Sequence, residues 1–168
     1  MPSCATPHGS LPDGDAVDVL AAGYARTYGR ARKRWQQATS GQPTCELWHQ
    51  WRKRVKYHRH HVNLLQQAWP PVMDQREDLL HDLTDLLGDD HDLAELRTAL
   101  QERRVEVDPD ILTGYVGLLD GVRTRLQHTA LPLAARLYGQ SADEQCDMVF
   151  AWWQLAIDEI TPVIPHGD

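Results

Sequence analysis

Apolar residues recur at helical spacing through most of this chain, and that periodicity constrains the fold more than any other feature. In the first long segment, Val17, Tyr24 and Tyr28 fall on one face of a helix. No stretch alternates apolar and polar residues as a half-buried strand does, and no Asn-Gly hairpin signal occurs. The sequence therefore predicts an all-α antiparallel helical bundle of about six helices with a four-helix-bundle core.

Capping and helix-breaking residues divide this pattern into segments. Thr44 is a good N-cap, and Ser141 with Glu144 forms a capping box. The predicted helices cover approximately residues 15–38, 44–67, 70–87, 89–104, 110–129 and 141–160. The predicted organisation is a loose N-terminal tail (residues 1–14), a single helical domain (residues 15–161) and a short C-terminal tail (residues 162–168).

Gly88 decides where the third predicted helix ends. A glycine that follows an apolar stripe is typical of a C′ position, where the chain leaves the helix. Asp89 or Asp90 can then cap the next helix, and Asp92 can stabilise its first turn. The sequence thus predicts a tight turn at Gly88 and a capping role for Asp89 and Asp92.

Positive charge is concentrated in one part of a chain whose net charge is −7. Between Arg26 and His61 there are ten lysine and arginine residues and one acid, Glu46, so this part carries +9. The remainder therefore carries −16. Such a block implies a local positive field directed at an anion, whereas the acidic remainder disfavours nonspecific binding of nucleic acid.

The second predicted helix is amphipathic in an unusual way. Trp48, Trp51 and Val55 lie on its apolar face, where core packing is expected. Its polar face covers an arc of about 120° and holds no acid. The cation-capable residues on this face are His49, Arg52, Lys53, Lys56, Arg59 and His60. The first helix adds Arg26, Arg30, Lys33 and Arg34.

These like charges need compensation, because each pair at helical spacing destabilises a helix by about 0.2–0.5 kcal/mol. Two basic helices side by side form a groove, and a chain of phosphates could neutralise its whole length. We therefore predict that these ten residues bind a polyanion in a groove between helices one and two. The competing interpretation is intramolecular pairing with acidic residues of the third helix, namely Asp74, Asp78, Asp82 and Asp85.

Two motifs in a fixed order carry a family resemblance. They are His49-x-x-Arg52-Lys53-x-x-Lys56-x-x-Arg59 and, further along, Leu86-Leu87-Gly88-Asp89-Asp90-His91-Asp92-Leu93. Further matching segments are Tyr28-x-Arg30-x-Arg32, Trp69-Pro70, Ala130-Leu131-Pro132-x-x-x-Arg136-Leu137-Tyr138 and Trp152-Trp153. Over residues 15–155 the chain thus resembles the CHAD family, the histidine-containing α-helical domains that bind inorganic polyphosphate.

The resemblance implies a fold, a ligand and partners. CHAD domains have two pseudo-symmetric four-helix halves around a basic channel, no known chemistry of their own, and an association with polyphosphate granules or triphosphate-processing proteins. Motif matching assigns polyphosphate binding to His49, Arg52, Lys53, Lys56 and Arg59, flanked by Arg26, Arg30 and Lys33. Because the chain has one copy of the signature and resembles the second half of a full-length domain, the resemblance implies a half-sized module or a homodimer. No cofactor is expected.

Two features depart from the family pattern. His60 stands where an aromatic residue is expected, and residues 142–146, usually basic in similar proteins, are acidic here. The second departure argues against a contribution of the last helix to ligand binding.

Three other functions fit parts of the sequence. An HD-type metal-dependent phosphohydrolase would use His81-Asp82 and His91-Asp92, with the histidines between residues 58 and 61, to hold a metal that activates water. The spacing is poor, because cations separate the upstream histidines, so neither an enzyme nor a metal site is predicted. The remaining alternatives are a nucleic-acid-binding helical module and a purely structural interaction protein.

The cysteines and the hydropathy suggest a compartment. Cys4, Cys45 and Cys146 are far apart and form no CxxC or CxxH motif, so neither a disulfide framework nor a zinc knuckle is indicated. No apolar run approaches the roughly 18 residues that a membrane-spanning helix needs, and no signal peptide is evident. We therefore expect a cytoplasmic protein with no membrane partner.

Overall fold

The computed structural model describes residues 14–41, 43–102 and 108–160, which form five α-helices, one 3₁₀ turn and no strand. The elements are α1 (Gly14–Thr39), α2 (Cys45–Leu64), the 3₁₀ turn (Gln66–Ala68), α3 (Pro70–Glu102), α4 (Pro109–Leu137) and α5 (Ala142–Ile160). The predicted all-α bundle is confirmed, with five helices in place of about six. The predicted tails lie outside the described residues, except that Gly14 begins α1.

Gly88 lies inside α3 and does not end a helix. α3 continues without interruption from Pro70 to Glu102, and no glycine in the described residues has a positive φ angle. The predicted turn at Gly88 and the separate helix after it are therefore wrong. Asp89 and Asp92 are exposed side chains in mid-helix, so the predicted capping role is wrong as well.

Gly88→Ala is expected to stabilise the protein by up to about 1 kcal/mol, because alanine favours a helix over glycine. A Cβ at this position would lie 3.4 Å from Nε of Arg52, and the long arginine side chain can adjust to that contact. At a left-handed C′ turn, the same substitution would instead cost about 1–2 kcal/mol. Urea unfolding of both proteins measures the sign of the change, and a loss of stability would contradict a continuous α3.

Two predicted helix starts are confirmed. Oγ1 of Thr44 accepts a hydrogen bond from the backbone N–H of Leu47 at 3.2 Å. At α5, the N–H of Ser141 donates to Glu144 Oε2 at 2.8 Å, and the N–H of Glu144 donates to Ser141 Oγ at 3.2 Å. These bonds lower the pKa of the Glu144 carboxyl group. Both capping motifs act within a few residues, which is why the sequence reveals them.

Packing places α2 at the centre of the bundle. α2 packs between α1 and α3, α4 packs on α3, and α5 packs on α1 and on the 3₁₀ turn. The buried core includes Tyr24, Tyr28, Trp48, Trp51, Val55, Val62, Leu80, Leu83, Ala134, Tyr138, Val149 and Trp153. The apolar face of α2 is thus buried as predicted, whereas its basic face is only partly exposed. Among the described helices, none combines the length and the hydropathy that a membrane span requires.

His58 belongs to this core. It is fully buried, and its Nδ1 lies 3.1 Å from the hydroxyl of Tyr138. The rings of Tyr24 and Tyr28 lie 5.4 and 5.3 Å from the imidazole ring. Burial lowers the pKa of His58 well below its usual value, and the positive charge of Arg76 lowers it further. His58 is therefore a neutral packing residue near pH 7.

Candidate anion-binding site

Four cations from α1 and α2 line a single recess. Arg30, Lys33 and Arg34 come from α1 and Arg54 comes from α2, and with Gln37 they enclose about 330 Å³. Nη1 of Arg34 donates to Oε1 of Gln37 at 2.8 Å, which orients that guanidinium group. None of the four cations forms an ion pair with a carboxylate of the described chain. This basic recess therefore concentrates positive charge that the described fold does not neutralise.

Arg54 is a site residue that sequence reasoning missed. It falls outside the 120° arc of predicted residues, because two positions along a helix correspond to a rotation of about 200° from Arg52. This rotation places Arg54 on the flank of α2 that packs against α1. Its guanidinium carbon lies 6.0 Å from the ring centre of Tyr57, three residues later. The spacing of this arginine and tyrosine is visible in the sequence. It points to a site residue only once the structure shows that α1 packs beside Arg54.

Four predicted residues lie on open helix surfaces outside the basic recess. Lys53, Lys56 and His60 are exposed on the outward side of α2, between its two neighbouring helices. Arg26 is exposed on α1, one helical turn before Arg30. In the part of the chain that the structure describes, none of these four forms an ion pair. They extend the positive surface beyond the recess.

The other three predicted residues face α3. The ring of His49 lies 4.4 Å from that of His91. The guanidinium of Arg52 lies against Gly88. Nε of Arg59 pairs with Oε1 of Glu77 on α3 at 2.5 Å.

The structure therefore places the ten predicted residues in three groups, in the recess, on open helix surface and against α3, so they do not all line one recess. The reason is that α2 packs between α1 and α3, so one side of its polar arc meets α3 and the rest is exposed, while the α2 residue beside α1 is Arg54.

The flank of α2 that faces α3 is less suited to an anion than the basic recess. Burial lowers the pKa of His49, and neighbouring basic groups lower it further. Nδ1 of His49 and Nε of Arg52 are buried atoms that have no hydrogen-bond partner within the described residues. However, the small recess here, about 210 Å³, is also lined by the carboxylates of Glu46 and Glu95. These acids would repel phosphate.

The four aspartates in the first half of α3 do not neutralise the basic residues of α1 and α2. Asp74, Asp78, Asp82 and Asp85 are all exposed. Asp74 accepts a hydrogen bond from Gln66 at 2.6 Å, and Asp85 pairs with His81, four residues earlier, at 3.4 Å. Within the described ranges, the pair between Arg59 and Glu77 is the one ion pair that joins the basic face of α2 to α3. The intramolecular interpretation is therefore wrong for these four aspartates.

The second motif has a structural role at the interface of α3 and α4. Asp90 is 1% exposed, and its carboxylate accepts from Nε of Arg123 at 3.1 Å and from Gln127 at 2.8 Å. Burial by itself lowers the pKa of Arg123, but the hydrogen bond and the charge of Asp90 outweigh that effect and raise it. Two residues earlier, Gly88 leaves room for Arg52 of α2. The first sequence motif, on α2, and the second, on α3, are thus in contact where Arg52 packs against Gly88.

Three of the histidines considered for a metal-dependent hydrolase have separate structural contacts. His81 pairs with Asp85, the tilted ring of His91 contacts that of His49, and His58 is part of the core. Across the described residues, no group of three His, Cys, Asp or Glu side chains could hold a metal ion.

The fold and the basic recess define a class of protein, a helical bundle with a concentrated basic surface. More specifically, the chain belongs to the CHAD domain family, whose model matches residues 3–101. The match covers both motifs and nearly all of α1 to α3, and it ends before α4. The resemblance expected at residues 130–138 and 152–153 lies outside it. The family is associated with polyphosphate and triphosphate binding. No curated protein and no solved structure matches the chain.

Proposed function

We propose that this chain binds inorganic polyphosphate, or a similar phosphate-rich polyanion, at the basic recess and catalyses no reaction of its own. The observation that carries the proposal is the convergence of Arg30, Lys33, Arg34 and Arg54 without a neutralising carboxylate in the described chain. Four cations held together by the fold repel one another, and a bound polyanion would remove that repulsion. Arginines can hold phosphate oxygens through two parallel hydrogen bonds, and Lys33 adds a point charge.

A polymer suits this surface better than a single phosphate. One phosphate group would occupy two or three of these donors and leave the others without a partner. The positive surface also continues past the recess, through Arg26 along α1 and through Lys53, Lys56 and His60 on α2. From Arg26 to Lys33 alone it extends about 10 Å along α1. A flexible chain of phosphates can follow such a surface, whereas the net charge of −16 on the rest of the chain would repel a bulky duplex.

The proposed partners follow from the ligand. A cytoplasmic protein that binds polyphosphate would meet it in granules or beside triphosphate-processing proteins. Binding requires neither a metal nor a cofactor, because the charges come from the side chains themselves.

A titration of the purified chain with inorganic polyphosphate at several salt concentrations tests the proposal. If four charges are neutralised, we expect the logarithm of the affinity to fall with the logarithm of salt concentration with a slope of about −3, by analogy with nucleic acids. Orthophosphate at the same ionic strength is the matched control, and we expect it to bind much more weakly. An affinity that does not change with salt would contradict the proposed site.

Single-stranded nucleic acid is a second candidate ligand, favoured by one observation. Tyr57 is 51% exposed, and Arg54 lies beside its ring. An aromatic ring next to a basic recess can stack on a base. Competition between polyphosphate and an oligonucleotide at matched ionic strength separates the two functions. If Tyr57→Ala weakens oligonucleotide binding and the oligonucleotide displaces polyphosphate, the nucleic-acid function is favoured.

A further inference from the structure

A row of apolar side chains on α4 is exposed. Ile111, Tyr115 and Leu118 are 53%, 59% and 68% exposed, and their spacing places them on one face of the helix. We call this row the α4 ridge. It lies in the N-terminal half of α4, whereas the buried residues of this helix begin at Arg123. A continuous apolar row of this kind indicates a contact with another molecule.

Three glycines beside the α4 ridge support the same conclusion. Gly114, Gly117 and Gly121 each weaken the helix by about 1 kcal/mol relative to alanine. A Cβ at any of these positions would meet no atom within 4 Å, so the described fold gives no steric reason for a glycine there. Without side chains, these positions let another backbone approach closely. They form a shallow groove next to the ridge.

We propose that the α4 ridge is a self-association surface, occupied by α4 of a second copy packed antiparallel about a two-fold axis. Because α4 carries both a ridge and a groove, its surface is self-complementary, as a two-fold contact between identical chains requires. With the axis midway between Gly117 and Leu118, each Leu118 faces Gly117 of the other copy. The same register sets Gly114 opposite Gly121.

Charge complementarity favours this register and direction. In this register, Asp110 of each copy lies opposite Arg125 of the other, so one such pair forms at each end of the contact. Both residues are exposed, and within the described ranges neither forms an ion pair. The two residues are about 22 Å apart along the helix, so two intermolecular ion pairs would flank the apolar centre. A parallel pairing in register would instead bring like charges together.

Sedimentation equilibrium of the full chain, without polyphosphate, tests the surface. We expect the chain to form a dimer and Leu118→Glu to raise its dissociation constant at least about tenfold. The matched control is Leu155→Glu on α5, because Leu155 is also exposed and lies outside the α4 ridge; its dissociation constant should equal that of the unmodified chain. A chain that stays monomeric at all concentrations overturns the proposal, as does a Leu118→Glu dimer of unchanged affinity.

A charge exchange tests the register. Asp110→Lys alone and Arg125→Glu alone should each weaken the dimer, because each places like charges opposite one another. The two substitutions together should restore its affinity, since the ion pairs form again with reversed sign. A double variant as weak as either single variant would overturn the antiparallel register and with it the proposal. Circular dichroism of each variant verifies that the helices are intact.

Discussion

Asp90→Ala is expected to lower the free energy of unfolding by about 3–5 kcal/mol. The substitution removes the carboxylate that accepts hydrogen bonds from Arg123 and Gln127. The Arg123 guanidinium would then remain in a mostly buried position without its counter-charge, which is the costly way to break a buried ion pair. Urea unfolding measures the loss, provided that the slope of the transition is unchanged.

The neighbouring aspartates supply matched controls for this prediction. Asp89→Ala and Asp92→Ala remove the same group from the same motif, but both side chains are exposed in mid-helix. We expect each to change the stability by no more than about 0.5 kcal/mol. If Asp89→Ala or Asp92→Ala were as damaging as Asp90→Ala, the capping role first expected from the sequence would be favoured over a continuous α3.

The sequence predicts those parts of the fold that depend on nearby residues. Thr44 and Ser141 cap their helices with side-chain oxygens that bond backbone groups three residues away, so their types and spacing are sufficient evidence. The apolar face of α2 can also be predicted from the sequence, because Trp51 and Val55 follow the helical period. In such cases local preference and tertiary packing agree.

Gly88 shows where local reasoning fails. Glycine is favoured at helix ends, and only contacts with other helices keep this residue in the middle of α3. Arg52 of α2 packs against Gly88. Two residues after Gly88, Asp90 accepts a hydrogen bond from Arg123 of α4. Both partners are distant in sequence, so no local pattern reveals them.

The division of the basic residues follows the same logic. A helical wheel shows that Lys53, Arg54 and Arg59 point in different directions, but it does not show which helix lies on each side. The structure supplies that information: α1 lies beside Arg54, and α3 lies beside Arg59. As a result, Arg59 is paired with Glu77, whereas Arg54 has no carboxylate partner in the described residues. We therefore expect the strongest ligand contacts at Arg54 and its neighbours on α1.

Replacing both Arg34 and Arg54 by glutamate is expected to weaken polyphosphate binding at least about 100-fold. Each arginine can donate charge-assisted hydrogen bonds worth about 1.5–3 kcal/mol, and two of them together exceed the roughly 2.8 kcal/mol that corresponds to 100-fold. The fold should persist, because neither side chain is fully buried and neither has an ion-pair partner in the described structure. Calorimetric titration with polyphosphate measures the affinity.

Single substitutions separate the recess from the overall charge of the protein. Arg34→Glu and Arg136→Glu change the net charge equally, but Arg136 is exposed near the end of α4 and does not line the recess. We expect Arg34→Glu to weaken binding about tenfold, and Arg136→Glu less than about twofold, because Arg136 forms no part of the recess lining. Equal losses in the two variants would mean that polyphosphate responds to net charge alone. In that case the convergence of cations between α1 and α2 would have no part in binding, and the proposed site would be wrong even if the protein still bound polyphosphate.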